Sequence, residues 1–396
     1  MDKHTKLHPA IYLLSLTAFA IGVAEFVVVG VLNSIASDFA IPIEKAGSLV
    51  GLYALALAIG TPIVTLMLAR FNKKRVLVGL ISVFALGNLV SATAQSFEVL
   101  LAGRIVTAVA HGSFFAIGAT VASALAPKGA ESKAIALMFA GLTLAMVIGV
   151  PLGSFIGNIA GWQWPFLAVF VLAIISLLAT SFLLPAQAIS PKSSVKTQLA
   201  ALTNSRVLAM MLVTILGFGA TFTAFTYITP IMVDITGFSE QTASVLLLFF
   251  GGATFIGNLA GGSASARFGW QKTLLGNLGA LALMFVVLLS AIHQTWSMAP
   301  ALFVWGLLAF SLSPSLQTGM LNIASTRTPK AVDFTSALNI AAFNFGIALG
   351  EYLGGSLVAI GKMPSTPVAG IVMVALALAP LMYLHKSKSE VTPSPC

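Results

Sequence analysis

The sequence predicts an all-α membrane protein of twelve transmembrane helices, arranged as two pseudo-symmetric halves of six. Three observations carry that reading: apolar runs of about 20 residues, a repeat relating the second half to the first, and lysines and arginines gathered in alternate loops.

The runs come first. Of 396 residues, 58% are hydrophobic and 8% charged, against roughly 25% charged in ordinary soluble domains. Apolar stretches between polar turns lie near 10–32, 47–69, 76–94, 99–122, 134–157, 164–184, 207–229, 242–264, 273–292, 298–322, 334–357 and 366–385. Each is long enough to cross a hydrocarbon core as helix. Lys3 and Lys6 ahead of Ala18-Phe19-Ala20 imitate a secretory leader. The apolar character continues to about Leu32, however, so the first run is expected to be a retained span.

The longest polar interruption, 185–206, carries Pro185, Ser190, Pro191, Lys192, Ser193, Ser194 and Lys196, the composition of a solvated linker. It divides the chain into halves, 1–184 and 207–396. An internal repeat supports the division. Ala69-Arg70-Phe71 with Lys74-Arg75 after span 2 matches Ala266-Arg267-Phe268 with Gln271-Lys272 after span 8, at an offset of 197 residues, and the same offset carries Gly60 onto Gly257. Parallel repeats about an axis along the membrane normal are a known transporter architecture.

Charge then sets orientation. With both termini in the cytoplasm, that side receives 17 of the 20 lysines and arginines; the opposite side receives only Lys45 and Lys362, and Arg104 stays inside the membrane. The net charge of +9 therefore reflects topology, and nucleic-acid binding is excluded. Cys396 is the lone cysteine, so neither an internal disulfide nor a paired-cysteine metal site can form.

Several motifs resemble those of the major facilitator superfamily, within it the twelve-span drug:proton antiporters. Arg70-Phe71-Asn72-Lys73-Lys74-Arg75 is similar to the basic loop between spans 2 and 3. Arg104 with Thr107, Ala108, His111 and Gly112 resembles the span 4 arginine motif. Gly149-Val150-Pro151-Leu152-Gly153, with Gly157 and Gly161-Trp162, resembles the antiporter signature of span 5. Ala24-Glu25-Phe26 and Asn344-Phe345-Gly346 are similar to the branch of arabinose, sugar, purine and chloramphenicol exporters. Two departures stand out: Ala69 and Ala266 occupy the place of a loop aspartate, and Val150 separates a glycine and a proline usually adjacent. The resemblance implies the major facilitator fold, alternating access, and sliding contacts of spans 5 with 8 and 2 with 11. Arg70, Lys74, Arg75, Gly149, Pro151, Gly153 and Arg267 are then the candidate conformational residues.

Other candidates follow from the residues themselves. Glu25 sits about 15 residues into span 1 among apolar neighbours, where an ionisable group is costly and usually functional. A carboxyl group that takes and loses a proton is what proton coupling requires; the competing role is a structural acid paired permanently with Arg104. Arginine keeps its charge in proteins, so Arg104 must face protein or water. His111, seven residues further on the same helix face, is a packing residue, a proton carrier or a substrate ligand. In span 11, Asn339, Asn344 and Glu351 are the polar candidates for a substrate cavity, although Glu351 lies close enough to the span's end to be an interfacial acid. Phe218, Phe222 and Phe225 form a stripe in span 7 whose default setting is lipid and whose functional setting is a cavity wall. Small residues every four positions, Gly141 to Gly157 in span 5, Ala253 to Ser265 in span 8 and Gly346 to Gly354 in span 11, suit close helix packing.

No Walker loop, hydrolytic constellation or metal cluster is present in the sequence, so a monomeric, cofactor-free, non-enzymatic protein is expected, drawing on a gradient for any uphill work. Proton-coupled export of a small molecule across the plasma or bacterial inner membrane leads. An uncoupled facilitator or importer of the same fold, and a non-transporting receptor or scaffold, are the rivals. The charge count generates a direct test of topology: reporter fusions after Asn72, within 185–206 and after Lys388 should report cytoplasm, and one near Ile41 the opposite side. A reversal at the linker would overturn the six-plus-six arrangement.

Overall fold

The structure, a computed structural model, describes residues 8–68, 71–127, 131–185 and 199–386. Among the described residues the regular structure is helical throughout. Span 1 is Pro9–Gly30, span 2 Ile43–Leu68, span 3 Lys73–Ala92, span 4 Phe97–Leu125 and span 6 Gln163–Leu183. Spans 8, 9, 10, 11 and 12 are Glu240–Phe268, Trp270–Ala291, Thr295–Arg327, Val332–Ala359 and Thr366–Lys386. Among the described residues eleven segments are long and apolar enough to cross a membrane. Span 11 is the remaining helix, 28 residues long, and Asn339, Asn344 and Glu351 lower its apolar character.

Spans 5 and 7 are the irregular ones, and proline accounts for both. Span 5 runs Glu131–Leu144, passes through a π-helical turn, Ala145–Gly149, and continues as Val150–Ala160. Pro151 has no N–H and its ring crowds the carbonyl four residues back, so the wider turn just before it relieves the clash. Span 7 differs from the single run 207–229: it is Ser205–Gly219, then the short pieces Phe222–Phe225 and Ile228–Pro230, then a second π-helical turn, Ile231–Ile235. Pro230 removes one donor here, Thr221, Thr223, Thr226 and Thr229 are all β-branched, and the hydroxyls of Thr223 and Thr226 compete for backbone carbonyls. Thr223 donates to the Ala220 carbonyl and Thr226 to that of Phe222.

The chain forms two compact units, Met1–Lys192 with Ser239–Leu248, and Ser193–Phe238 with Phe249–Cys396. In the first, span 1 packs on spans 5 and 6, and span 3 on spans 4 and 6; in the second, span 7 packs on spans 11 and 12, and span 9 on spans 10 and 12. The pairing is the same six-helix pattern twice. Gly60 of span 2 rests on Val109 of span 4, while its repeat partner Gly257 rests on the Leu307 backbone of span 10.

The small-residue stripes turn out to be helix packing inside each unit. Span 5 lays Gly141 on the Ser15 carbonyl, Gly149 on Val23 and Phe19 and Gly153 on Val27, all in span 1, and Gly157 on Val31, the residue that caps it. Span 11 lays Gly346, Gly350 and Gly354 on the Ile215, Gly219 and Thr223 carbonyls of span 7. The contacts these glycines make inside each unit are with spans 1 and 7.

That packing separates two glycines of similar sequence context. A side chain at Gly149 would overlap the Val23 methyl, whereas one at Gly79 would meet nothing within 4 Å. Gly149→Leu should therefore destabilise by about 1–3 kcal/mol and impair transport, with Gly79→Leu much milder. Equal thermal stability and transport for the two variants, at equal membrane abundance, would remove the stripe from the mechanism.

Candidate functional site

Within the first unit, spans 1, 2 and 4 bring four polar side chains together in apolar surroundings. Glu25, Tyr53, Arg104 and His111 are all buried. Arg104 reaches across to span 1, where one guanidinium nitrogen donates to the Ala24 carbonyl and the other to that of Glu25 at 3.1 Å. Its guanidinium also lies over the Tyr53 ring, 3.9 Å from the centroid, a cation–π contact strengthened by the absence of water. The Tyr53 hydroxyl shares a hydrogen bond of 2.9 Å with His111 Nδ1. Thr107 donates to the Arg104 carbonyl at 2.7 Å and so ties its hydroxyl to the turn that carries the arginine.

The consequence for Glu25 is specific. Backbone carbonyls, not the carboxylate, receive the guanidinium donors, and among the described residues Arg104 and the Glu25 carboxylate form no ion pair. Arg104 therefore supplies a nearby positive field without locking the acid in one geometry. His111 is held by Tyr53 on one side and packs its ring against Phe115, centroids 5.2 Å apart, on the other.

A second cluster lies in the second unit, where spans 7, 8, 10 and 11 meet. Phe218, Phe222 and Phe225 are buried, so lipid contact is not their setting. They sit in an aromatic core: Phe218 lies edge-on to Phe343 at 4.8 Å, Phe225 stacks on Phe250 at 4.7 Å, and Phe250 meets Trp305 at 5.5 Å. Trp305 is buried, and its indole N–H has no hydrogen-bond partner. Glu351 is likewise buried rather than interfacial, accepting a hydrogen bond of 2.9 Å from the Tyr227 hydroxyl. Asn339 is committed on both sides, accepting from Thr214 at 2.7 Å and donating to Gln317 at 2.8 Å. Asn344 donates to its own helix at Ile340, which leaves its side-chain oxygen buried without a partner.

The candidate conformational residues are dispersed. Arg70 lies outside the described residues. Asn72 caps span 3, its side chain accepting from the Lys74 and Arg75 amides. Three basic residues in a first helical turn oppose the helix dipole, so a requirement other than helix stability, such as topology, accounts for them. Arg267 is exposed at the end of span 8, its guanidinium 5.2 Å from the Phe268 ring centroid. Gly149, Pro151 and Gly153 belong to the span 1 contact already described. Among the described residues no group of three histidine, cysteine, aspartate or glutamate side chains could hold a metal ion.

Sequence reasoning missed Tyr53, Tyr227, Thr214, Gln317 and Trp305. The tyrosines carried a usable signal: there are only 5 in the chain, and a phenol in mid-span needs a polar partner for its hydroxyl.

Comparison with known proteins agrees with this architecture. The family model of the Major Facilitator Superfamily matches residues 14–331. The chain is 40% identical over 372 residues to the MFS-type transporter YtbD of Bacillus subtilis (strain 168), a match covering 93% of this chain and 94% of that protein. It is 32% identical over 375 residues to the chloramphenicol resistance protein of Streptomyces lividans, covering 93% and 95% respectively. A crystal structure of a bacterial homologue of the human lysosomal transporter Spinster, in an inward-facing and occupied conformation, shares the fold with a TM-score of 0.75 at 16% identity, over 97% of this chain and 98% of that one. By family match, relatives and fold together, the chain belongs to the major facilitator superfamily and is a multi-pass membrane transporter, not an enzyme.

Proposed function

We propose that this transporter exports a small molecule from the cytoplasm in exchange for protons by alternating access. The observation that carries the reading is Glu25: a buried carboxyl group in mid-span, beside a fixed positive charge that is spent on backbone carbonyls instead of on the acid. A carboxylate pinned in an ion pair would be a structural element. One left free of such a pair can alternate between protonated and ionised states as its surroundings change, and a coupled transporter needs that alternation. Arg104 sets the local field and His111, bonded to Tyr53, completes the coupling group.

Substrate recognition is assigned to the second unit. Phe222 and Phe225 with Trp305 offer apolar ring surface, while Asn344, Glu351 and, through its network, Asn339 offer or position polar groups. An amphipathic drug, a sugar or a nucleoside fits that mixture, and a probable sugar efflux transporter of Mannheimia succiniciproducens, 30% identical over 380 residues, supports an efflux direction. The protein is read as a monomer in the plasma or bacterial inner membrane, with both termini cytoplasmic and a linker at 185–206 joining halves 1–184 and 207–396.

Two variants separate coupling from folding. Glu25→Gln keeps the size and hydrogen-bonding capacity of the protonated acid but cannot ionise; it should leave insertion and substrate binding intact and abolish substrate-induced proton movement in inverted vesicles. Full coupling in this variant would move the assignment to His111 or Glu351. Arg104→Lys keeps the charge but loses the planar fork that spans two carbonyls and stacks on Tyr53. It should lower stability by about 2 kcal/mol or more and impair coupling as well; wild-type thermal stability would show that the carbonyl contacts do not hold span 1.

A further inference from the structure

A groove of about 420 Å³ opens between spans 8, 9 and 10 of the second unit. It arises from backbone geometry. Gly257 and Gly261 draw span 8 onto the Leu307 and Ser311 backbone of span 10, while spans 8 and 9 diverge from the tight turn at Gly269, whose φ of +82° suits glycine. Ala260 and Ala264 leave one wall low, and at Gly276 on the other wall an added side chain would meet nothing within 4 Å.

The interior is apolar in effect. Its amide, Asn277, donates to the Ser311 hydroxyl, which itself donates to the Leu308 carbonyl, so these groups are satisfied among themselves. Charge gathers at one end only. Lys272 of span 9 lines the groove there and Arg267 precedes it at the end of span 8, beside the lining residue Phe268; both are exposed, and among the described residues neither forms an ion pair. Leu259, Phe268 and Leu275 alongside are strongly exposed apolar residues, as a lipid-facing surface requires.

We propose that this groove is a binding site for an anionic phospholipid, with the phosphate at Lys272 and Arg267 and the upper part of one acyl chain along Ala264 and Gly276. The dimensions suit the ligand: Ala260 to Phe268 spans about 12 Å of helix, against roughly 30 Å for a hydrocarbon core, so the groove holds a chain beneath its headgroup and releases the rest to the bilayer. A sugar or another polar solute would find its hydrogen-bonding groups unmatched along the walls. The site is separate from the proposed coupling and substrate residues and does not depend on their roles.

The test is lipid retention by the purified full-length protein, measured by native mass spectrometry after exchange into mixed micelles of phosphatidylglycerol and phosphatidylcholine. Wild type should retain phosphatidylglycerol selectively. The double variant Arg267→Gln with Lys272→Gln should bind it about 30-fold more weakly, roughly fivefold for each charge near the surface. Gly276→Leu, whose Cβ meets nothing within 4 Å and whose side chain occupies groove space, should weaken binding on the order of tenfold through displaced methylene groups. Lys362→Gln, a basic change at the end of another helix, should leave retention unchanged. Equal retention of the two lipids by wild type, or undiminished phosphatidylglycerol binding in either groove variant, would overturn the proposal.

Discussion

Helices surrounded by hydrocarbon gain nothing by burying leucine against leucine, because lipid offers leucine the same surroundings. Association must come from close approach and from polar contacts between backbones and side chains. Glycine supplies that approach here, and the rest of the structure depends on it. Gly141 sits on the Ser15 carbonyl, Gly219 and Gly346 press backbone to backbone, and Gly257 and Gly261 lie on span 10. Span 1 and span 7 are each clasped from one side in this way, and they are the spans that carry Glu25 and the Phe222 cluster.

The same absence of water governs the charged groups. An unpartnered donor in hydrocarbon costs several kcal/mol, so the donors of Arg104 must go somewhere, and in this chain they go to carbonyls of span 1. The arrangement does two things at once. It fixes span 1 against span 4 at mid-membrane, and it keeps a permanent positive charge near Glu25 without consuming the acid as a partner. Arg104 Nε nonetheless remains buried without an acceptor, a residual cost that a site of purely structural purpose would have little reason to carry.

How much of this was legible in the sequence depends on range. Span positions and the six-helix repeat follow from periodicity and length, which are local, and from Gly60 and Gly257, each of which marks a close helix contact. The break in span 7 was half visible, since Pro230 stands in the sequence but the run of threonines around it reads as apolar filler. Partners were not legible. Position on a helix face marks Asn344, Glu351 and His111 as inward candidates, but it does not say that a tyrosine of another span waits opposite, so Tyr53 and Tyr227 went unnoticed. Distance from the end of a span left Glu351 open between an interfacial acid and a functional one, and the sequence count does not show that it is buried against Tyr227. The phenylalanine stripe had lipid as its default setting because no sequence rule distinguishes a lipid-facing ring from one facing three other rings, as Phe218 does.

The repeat also bears on how the work is divided. The offset of 197 residues that aligns the two basic loops places Phe222 at the position of Glu25, Phe250 at that of Tyr53, Ala301 at that of Arg104 and Leu308 at that of His111. Two of these counterparts, Phe222 and Phe250, belong to the aromatic core of the second unit. One scaffold therefore holds an ionisable cluster in its first copy and a ring cluster at the corresponding place in its second. Close helix contacts such as Gly60 with span 4 and Gly257 with span 10 persist across the repeat, because both copies must pack in lipid. The chemistry does not persist, because a second buried arginine would repeat the desolvation cost without adding a surface on which an apolar ligand could rest. In the proposed reading, that asymmetry is what lets one half respond to protons while the other recognises substrate.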